Sequence, residues 1–238
     1  MIKQFCTYVL LIFCFNTNAQ FHSHSHNHKH DGLHHWEIPS KDPDRIILTF
    51  NGDPATKRAV TWRTDSSVKK AKAQIAVAAV NSSFVEEATT YFATTEEFDL
   101  GIYKSNKSLI VNYHSVVFEN LNPNTLYAYR VGNDENWSEW IQFKTANDTY
   151  SPTQFVYFGD AQNDILNHWS RVIRMAYQTA PDASFVIHAG DLVDTAHKDN
   201  EWAQWFKAGG FIHTADPKSV TFTSTKNCGA FKQSETTS

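Results

Sequence analysis

Apolar and polar positions along this chain follow one rhythm up to about residue 147 and another beyond it. From Pro43 to Ala146, short apolar stretches alternate with turn residues. Arg45 to Phe50 precedes the turn Asn51-Gly52-Asp53-Pro54, and Ala59 to Thr64, Ala73 to Val77 and Tyr113 to Phe118 follow. Trp137 to Lys144 reads as a closing strand. Such spacing predicts an all-β sandwich. Its sharpest local signal is Leu121 to Val131, where a Pro-Asn turn leads into alternating apolar positions and Tyr127 falls six residues after Leu121. That is tyrosine-corner spacing, with the hydroxyl bonding back to upstream backbone. Trp62, on the second strand, is expected in the core.

After Asn147 the period changes. Thr153 to Phe158 is a continuous apolar run, as expected of a strand covered on both faces. Asn163 or Asp164 is placed to cap a helix presenting Ile165, Trp169, Val172 and Ala176, which Pro181 stops. A second apolar strand covers Ser184 to Ala189. Asp199 is placed to cap a shorter helix that carries Trp202, Trp205 and Phe206 and closes at Gly209-Gly210. The fold class expected is therefore an all-β sandwich followed by the first β-α-β-α part of an α/β domain.

The segments outside these two units change the picture of where the chain acts. Residues 1–19 combine Lys3, an apolar run from Phe5 to Phe15 and Thr17-Asn18-Ala19, the pattern of a secretory signal peptide. The protein is thus expected to be secreted or periplasmic, with no membrane contact once the signal is cleaved. Cys6 and Cys14 leave with it, so Cys228 remains alone and no intrachain disulfide framework is expected in the mature chain. Loss of Lys3 moves the formal charge from −4 to −5, and no basic stripe appears, which argues against a nucleic-acid partner. Residues 20–43 form a His-rich linker with seven of the twelve histidines, five of them alternating from His22 to His30. Such an arm can capture metal, or serve as a solvated linker with incidental metal affinity.

The chemistry-bearing feature is a repeated strand-to-Gly-Asp junction. Phe155-Val156-Tyr157-Phe158 runs into Gly159-Asp160, and Phe185-Val186-Ile187-His188-Ala189 runs into Gly190-Asp191. Ligands of open α/β sheets gather beyond the carboxyl ends of the strands. Two carboxylates there can share a pair of divalent metals about 3.5–4 Å apart, the arrangement that activates water and clamps a phosphate ester. Asp160 and Asp191 are accordingly the candidate metal ligands. Strand-end aspartates that merely cap loops are the competing reading.

The order of signal peptide, fibronectin-like sandwich, strand-Gly-Asp and strand-Gly-Asp-x-x-Asp resembles the purple acid phosphatase branch of the calcineurin-like metallophosphoesterases. Pro43 to Pro54 is similar to the opening of that family's N-terminal domain, Ala59 to Thr64 continues it, and the likeness runs over roughly residues 43–212. The resemblance implies a sandwich over 44–147, a partial metallophosphoesterase domain over 152–213, a phosphate ester as substrate and a dinuclear centre of iron, zinc or manganese. It implies that Asp160 binds one metal and that Asp191 bridges both. Family members are acid phosphatases or related phosphodiesterases.

The chain also departs from the family pattern. Asp194 stands where purple members carry the iron-binding tyrosine, so no colour is expected. Gln162 stands where many relatives place a histidine, and its amide is expected beside the ligand rather than on the metal. The Gly-Asn-His motif and the later histidine motifs do not follow. His197 and His213 are expected at the surface, and His188 in the core. Residues 214–238 read as an aberrant or disordered tail. Two strands with two helices leave much apolar surface exposed, which favours a truncated gene product over a true short protein. The expected function is a secreted metal-dependent phosphoric monoester hydrolase with little turnover from this chain alone. The alternative is a non-catalytic metal-binding or interaction module built from the sandwich and the His-rich arm.

Overall fold

A computed structural model describes residues 34, 36–102, 108–214 and 219–222. Residues 1–19, read as a signal peptide, and the alternating histidines lie outside the described residues. Two antiparallel sheets form the first unit. One is ordered β1-β2-β6-β5, from β1 (Asp44–Thr49), β2 (Arg58–Asp65), β6 (Ser108–Phe118) and β5 (Thr94–Ile102). The other is ordered β4-β3-β7-β8, from β4 (Thr89–Phe92), β3 (Lys72–Val77), β7 (Leu126–Gly132) and β8 (Ile141–Lys144). Side chains alternate across each strand. Leu48, Val60, Trp62, Val116 and Phe118 therefore meet Ile75, Tyr129, Val131 and Phe143 between the sheets. Trp62 is fully buried, as expected of a core anchor. Tyr127 forms the expected corner, its hydroxyl accepting the Asn122 N–H at 2.8 Å. The expected closing strand is shorter than its pattern: only Ile141 to Lys144 pairs continuously, and Trp137 makes an isolated bridge to Gly132.

The second unit is a three-stranded parallel sheet ordered β11-β10-β9, from β9 (Phe155–Phe158), β10 (Phe185–His188) and β11 (Ser219–Phe222). Helix α1 (Trp169–Thr179) joins β9 to β10, and α2 (Asp199–Gly209) with a 3₁₀ turn (Gly210–His213) leads toward β11. The tail is thus not wholly irregular, because Ser219 to Phe222 pairs in parallel with Phe185 to His188. One face of this sheet is covered by Trp169, Ile173, Trp202, Trp205 and Phe206 from the helices, packed on Phe158 and Val186. On the opposite face Phe50 packs edge-on against Phe185 at 5.7 Å, whereas β9 is left uncovered among the described residues. Phe155 and Tyr157 are 52% and 64% exposed, so β9 is covered on one side where its unbroken apolar run predicts two.

The helix starts differ from their sequence signals as well. Asn163 and Asp164 adopt left-handed backbone (φ 66° and 47°) in a turn that precedes α1 rather than capping it. The buried stripe of this segment is Ile165, Trp169 and Ile173, spaced by four, and Val172 is half exposed. Asp199 is the first residue of α2, not its cap, and is buried in ion pairs with the sandwich. Gly210 closes the helix at φ 52°, a left-handed position suited to glycine.

A single strand ties the two units together. On β1, Leu48 faces the sandwich core, whereas Ile47 joins the cluster under the parallel sheet. Its register shifts between Asp44 and Ile47, and Arg45 there has φ 49°. That bulge aims the Arg45 guanidinium at Asp199. Arg63 reaches the same carboxylate at 3.4 Å and pairs with Asp44 at 2.5 Å. Across the sandwich, the Tyr129 hydroxyl donates to the Thr214 carbonyl at 2.8 Å.

Candidate metal site at the strand ends

Strands β9 and β10 are parallel neighbours in register, Phe155 beside Phe185 through Phe158 beside His188. The two chains leave the sheet together, and the Ala189 N–H donates to the Phe158 carbonyl at 2.8 Å. Asp160 lies two residues beyond β9 and Asp191 three beyond β10, so both sit at the carboxyl edge of one sheet. Their side chains are exposed. Both have left-handed backbone, φ 49° and 50°. This conformation is uncommon for residues with a Cβ, although Asp is among those that tolerate it best.

Buried neighbours and hydrogen bonds hold the two loops in that form. Ala161 is buried after the first aspartate, and Leu192 and Val193 after the second. The Gln162 N–H donates to the Asp191 carbonyl at 3.0 Å, linking one loop to the other. The Gln162 side-chain amide donates to Asp160 Oδ1 at 3.4 Å, which places it against the ligand candidate, as its position in sequence suggests. The connection from Asp191 to α2 is pinned twice: the Thr195 N–H donates to Glu201 at 2.7 Å, and Trp202 Nε1–H donates to the Ala196 carbonyl at 2.8 Å. Asp194 is exposed and accepts the hydroxyl of Thr195 at 3.3 Å, a loop contact.

A hard metal suits paired carboxylate oxygens. The donor set here is Asp160 and Asp191, and no cluster of three or more His, Cys, Asp or Glu side chains is assembled among the described residues. Asp160 and Asp191 thus stand at one sheet edge as two candidate oxygen donors, without a third such side chain assembled beside them among the described residues. His197 is exposed, as expected. His213 is not: it is 1% exposed and stacked on Trp205 at 4.2 Å with the ring planes 14° apart. His188 is buried between Phe158, Trp169 and Trp205, the core position its strand implies. Burial pushes His188 down to about 3 and His213 down to about 4. A cavity of about 400 Å³ lies elsewhere, between the sandwich and α2, bordered by Trp36, Arg45, Ile141, Phe206 and Phe211.

Sequence reasoning did not find the buried Arg45–Asp199–Arg63 group. The available signal is two arginines interrupting apolar strands, Arg45 at the head of β1 and Arg63 inside β2. Long charged residues are almost never fully buried unless paired, so their positions imply a partner without naming it.

Residues 43–145 match the family model for the purple acid phosphatase N-terminal domain, upholding the resemblance read from Pro43 to Thr64. No curated protein matches the chain. Among solved structures, purple acid phosphatase PPD1 from seeds of yellow lupin (Lupinus luteus) superposes with a TM-score of 0.61 at 17% identity. That match covers 76% of this chain and 35% of the lupin chain. The structure of PhoD superposes with a TM-score of 0.52 at 13% identity, covering 81% of this chain and 40% of its own. At these identities the likeness is one of fold, and this chain spans well under half the length of either protein.

Proposed function

We propose that this chain comes from the lineage of secreted, metal-dependent phosphoric monoester hydrolases, with Asp160 and Asp191 as metal ligands, and that it turns over little substrate by itself. The observation carrying this reading is the arrival of two aspartates at the carboxyl ends of neighbouring parallel strands, directly after a domain that matches the purple acid phosphatase N-terminal model.

Each part of the chain then has a task. Asp160 and Asp191 supply anionic oxygen, and the Gln162 amide steadies Asp160 by donating to it. Ala161, Leu192 and Val193 anchor the loops. The Arg45–Asp199 pair fixes α2, and with it the loop from Asp191, against the sandwich. When bound, a metal pair would acidify a water molecule and neutralise charge on the phosphoryl oxygens. Two carboxylates alone hold cations weakly, hence the low turnover expected.

The test is metal retention by the full chain, measured by equilibrium dialysis against manganese or zinc. Asp160→Asn with Asp191→Asn should abolish the retained metal that survives when His22, His24, His26, His28 and His30 are changed to Ala. Retention lost only with the histidines would overturn the strand-end site in favour of a binding arm. A 4-nitrophenyl phosphate assay with the same metals checks the second half of the proposal. Turnover at the rate of a complete family member would contradict it.

A further inference from the structure

Two buried imidazoles flank one indole in the second unit. His213, at the end of the 3₁₀ turn, lies flat on Trp205 at 4.2 Å, and His188, at the end of β10, meets the same indole edge-on at 5.3 Å. The His213 ring bonds to the Trp205 backbone. Its Nε2 has no hydrogen-bond partner among the described residues. That nitrogen faces Gly209, where a Cβ would stand 1.9 Å away. The groups around the pair are Phe158 from β9, Trp169 from α1, and Trp205 and Phe206 from α2. The charge of His213 acts on His188, and among the described residues no charged group is seen acting on His213. Arg45 lies over the Phe206 ring at 5.9 Å.

Neutral imidazole fits this environment, and imidazolium does not. A second N–H at Nε2 would point into the Gly209 backbone with no acceptor, and a charge would be held in an apolar core. The sandwich contains a contrasting case. His114 is equally buried and equally held down by burial, but Thr64 and Thr95 hydroxyls stand 2.8 and 2.9 Å from its two nitrogens and can turn to accept from both, so its protonation weakens the sandwich without stranding a donor.

We propose that the His188–Trp205–His213 stack is an acid-sensitive latch, in which protonation of His213 frees α2 and its 3₁₀ turn from the parallel sheet while the β-sandwich stays folded. Because the native state holds both rings neutral, the unfolded state binds the extra protons. Stability is full above the ordinary histidine pKa of 6.5 and declines as pH falls from there toward about 4. The opening equilibrium is expected to rise on the order of a hundredfold by pH 4 from His213 alone.

Backbone amide NMR of the full chain from pH 7.5 to pH 3.5 tests the latch. Signals from 199–213 should lose dispersion together while those of 58–65 and 111–118 keep theirs. His213→Phe, which keeps a ring on Trp205 and cannot be protonated, should move that loss down by about one pH unit or more. An unmoved transition in a variant folded at pH 7.5 overturns the proposal. Should the variant fail to fold, the wild-type His213 ring decides: titration near 6.5 within a fully dispersed spectrum overturns the latch, and a ring neutral until the segment opens supports it.

Discussion

Asp199 accepts both terminal nitrogens of Arg45, at 2.6 and 2.7 Å, with each side chain 3% exposed. The pair spans 154 residues and joins the first strand of the sandwich to the helix that follows the Asp191 loop. Removing one member of a buried pair strands the other charge, which typically costs about 3–5 kcal/mol, whereas replacing both with apolar residues is often neutral. Asp199→Ala should therefore lower the stability of the whole chain by about that amount in chemical denaturation. Arg45→Met combined with Asp199→Leu should recover most of the loss. A mild single substitution would show that the pair is solvated in solution.

Gly209→Ala would place a methyl against the His213 ring, 1.9 Å from Nε2 and 2.4 Å from each of the two ring carbons beside it. Overpacking of this kind costs about 1–3 kcal/mol. Thermal unfolding should show the loss, and pairing the change with His213→Ala should restore part of it by opening room for the methyl.

The tyrosine corner gives a prediction confined to the sandwich. Tyr127→Phe leaves the Asn122 N–H without its 2.8 Å partner and keeps the ring stacked on Phe143. A loss of about 1–2 kcal/mol is expected, with unchanged fold by circular dichroism.

His114 supplies a pH prediction of its own. Burial holds it down to about 4, so it contributes stability above pH 6.5 that is lost as pH falls from 6.5 toward 4. His114→Asn should flatten the dependence of the sandwich's denaturation midpoint across that window. A slope equal to wild type would assign the acid sensitivity to other groups.

The sandwich was legible because its signals are local: turn residues, alternation and the spacing from Leu121 to Tyr127 act within a few residues. The strand-Gly-Asp junctions were legible for the same reason, and their adjacency followed from one intervening helix. Four features resisted. Asp199 reads as a helix cap because caps and buried ion-pair partners share one residue type at one position, and its partner lies in another unit. His213 reads as surface because it sits in a polar-looking stretch, while Trp205 and Gly209, which bury it, are eight and four residues upstream. β9 reads as doubly covered because apolar residues on both faces state what a strand tolerates, not what is packed against it; Phe155 stacks on Phe185 on the open side. Strand β11 carried no period at all, and only parallel pairing with β10 defines it.

The divided loyalty of β1 has a practical corollary for anyone cutting the gene. Ile47 and Leu48 are adjacent residues serving different cores, so an excised fragment ending near residue 147 would uncover Ile47 and take Asp199 away from Arg45 and Arg63, leaving Asp44 as the carboxylate beside Arg63. Such a fragment would keep its fibronectin-like pleat and gain a sticky, cationic flank. Transplanting either half onto another scaffold thus requires redesigning that strand first.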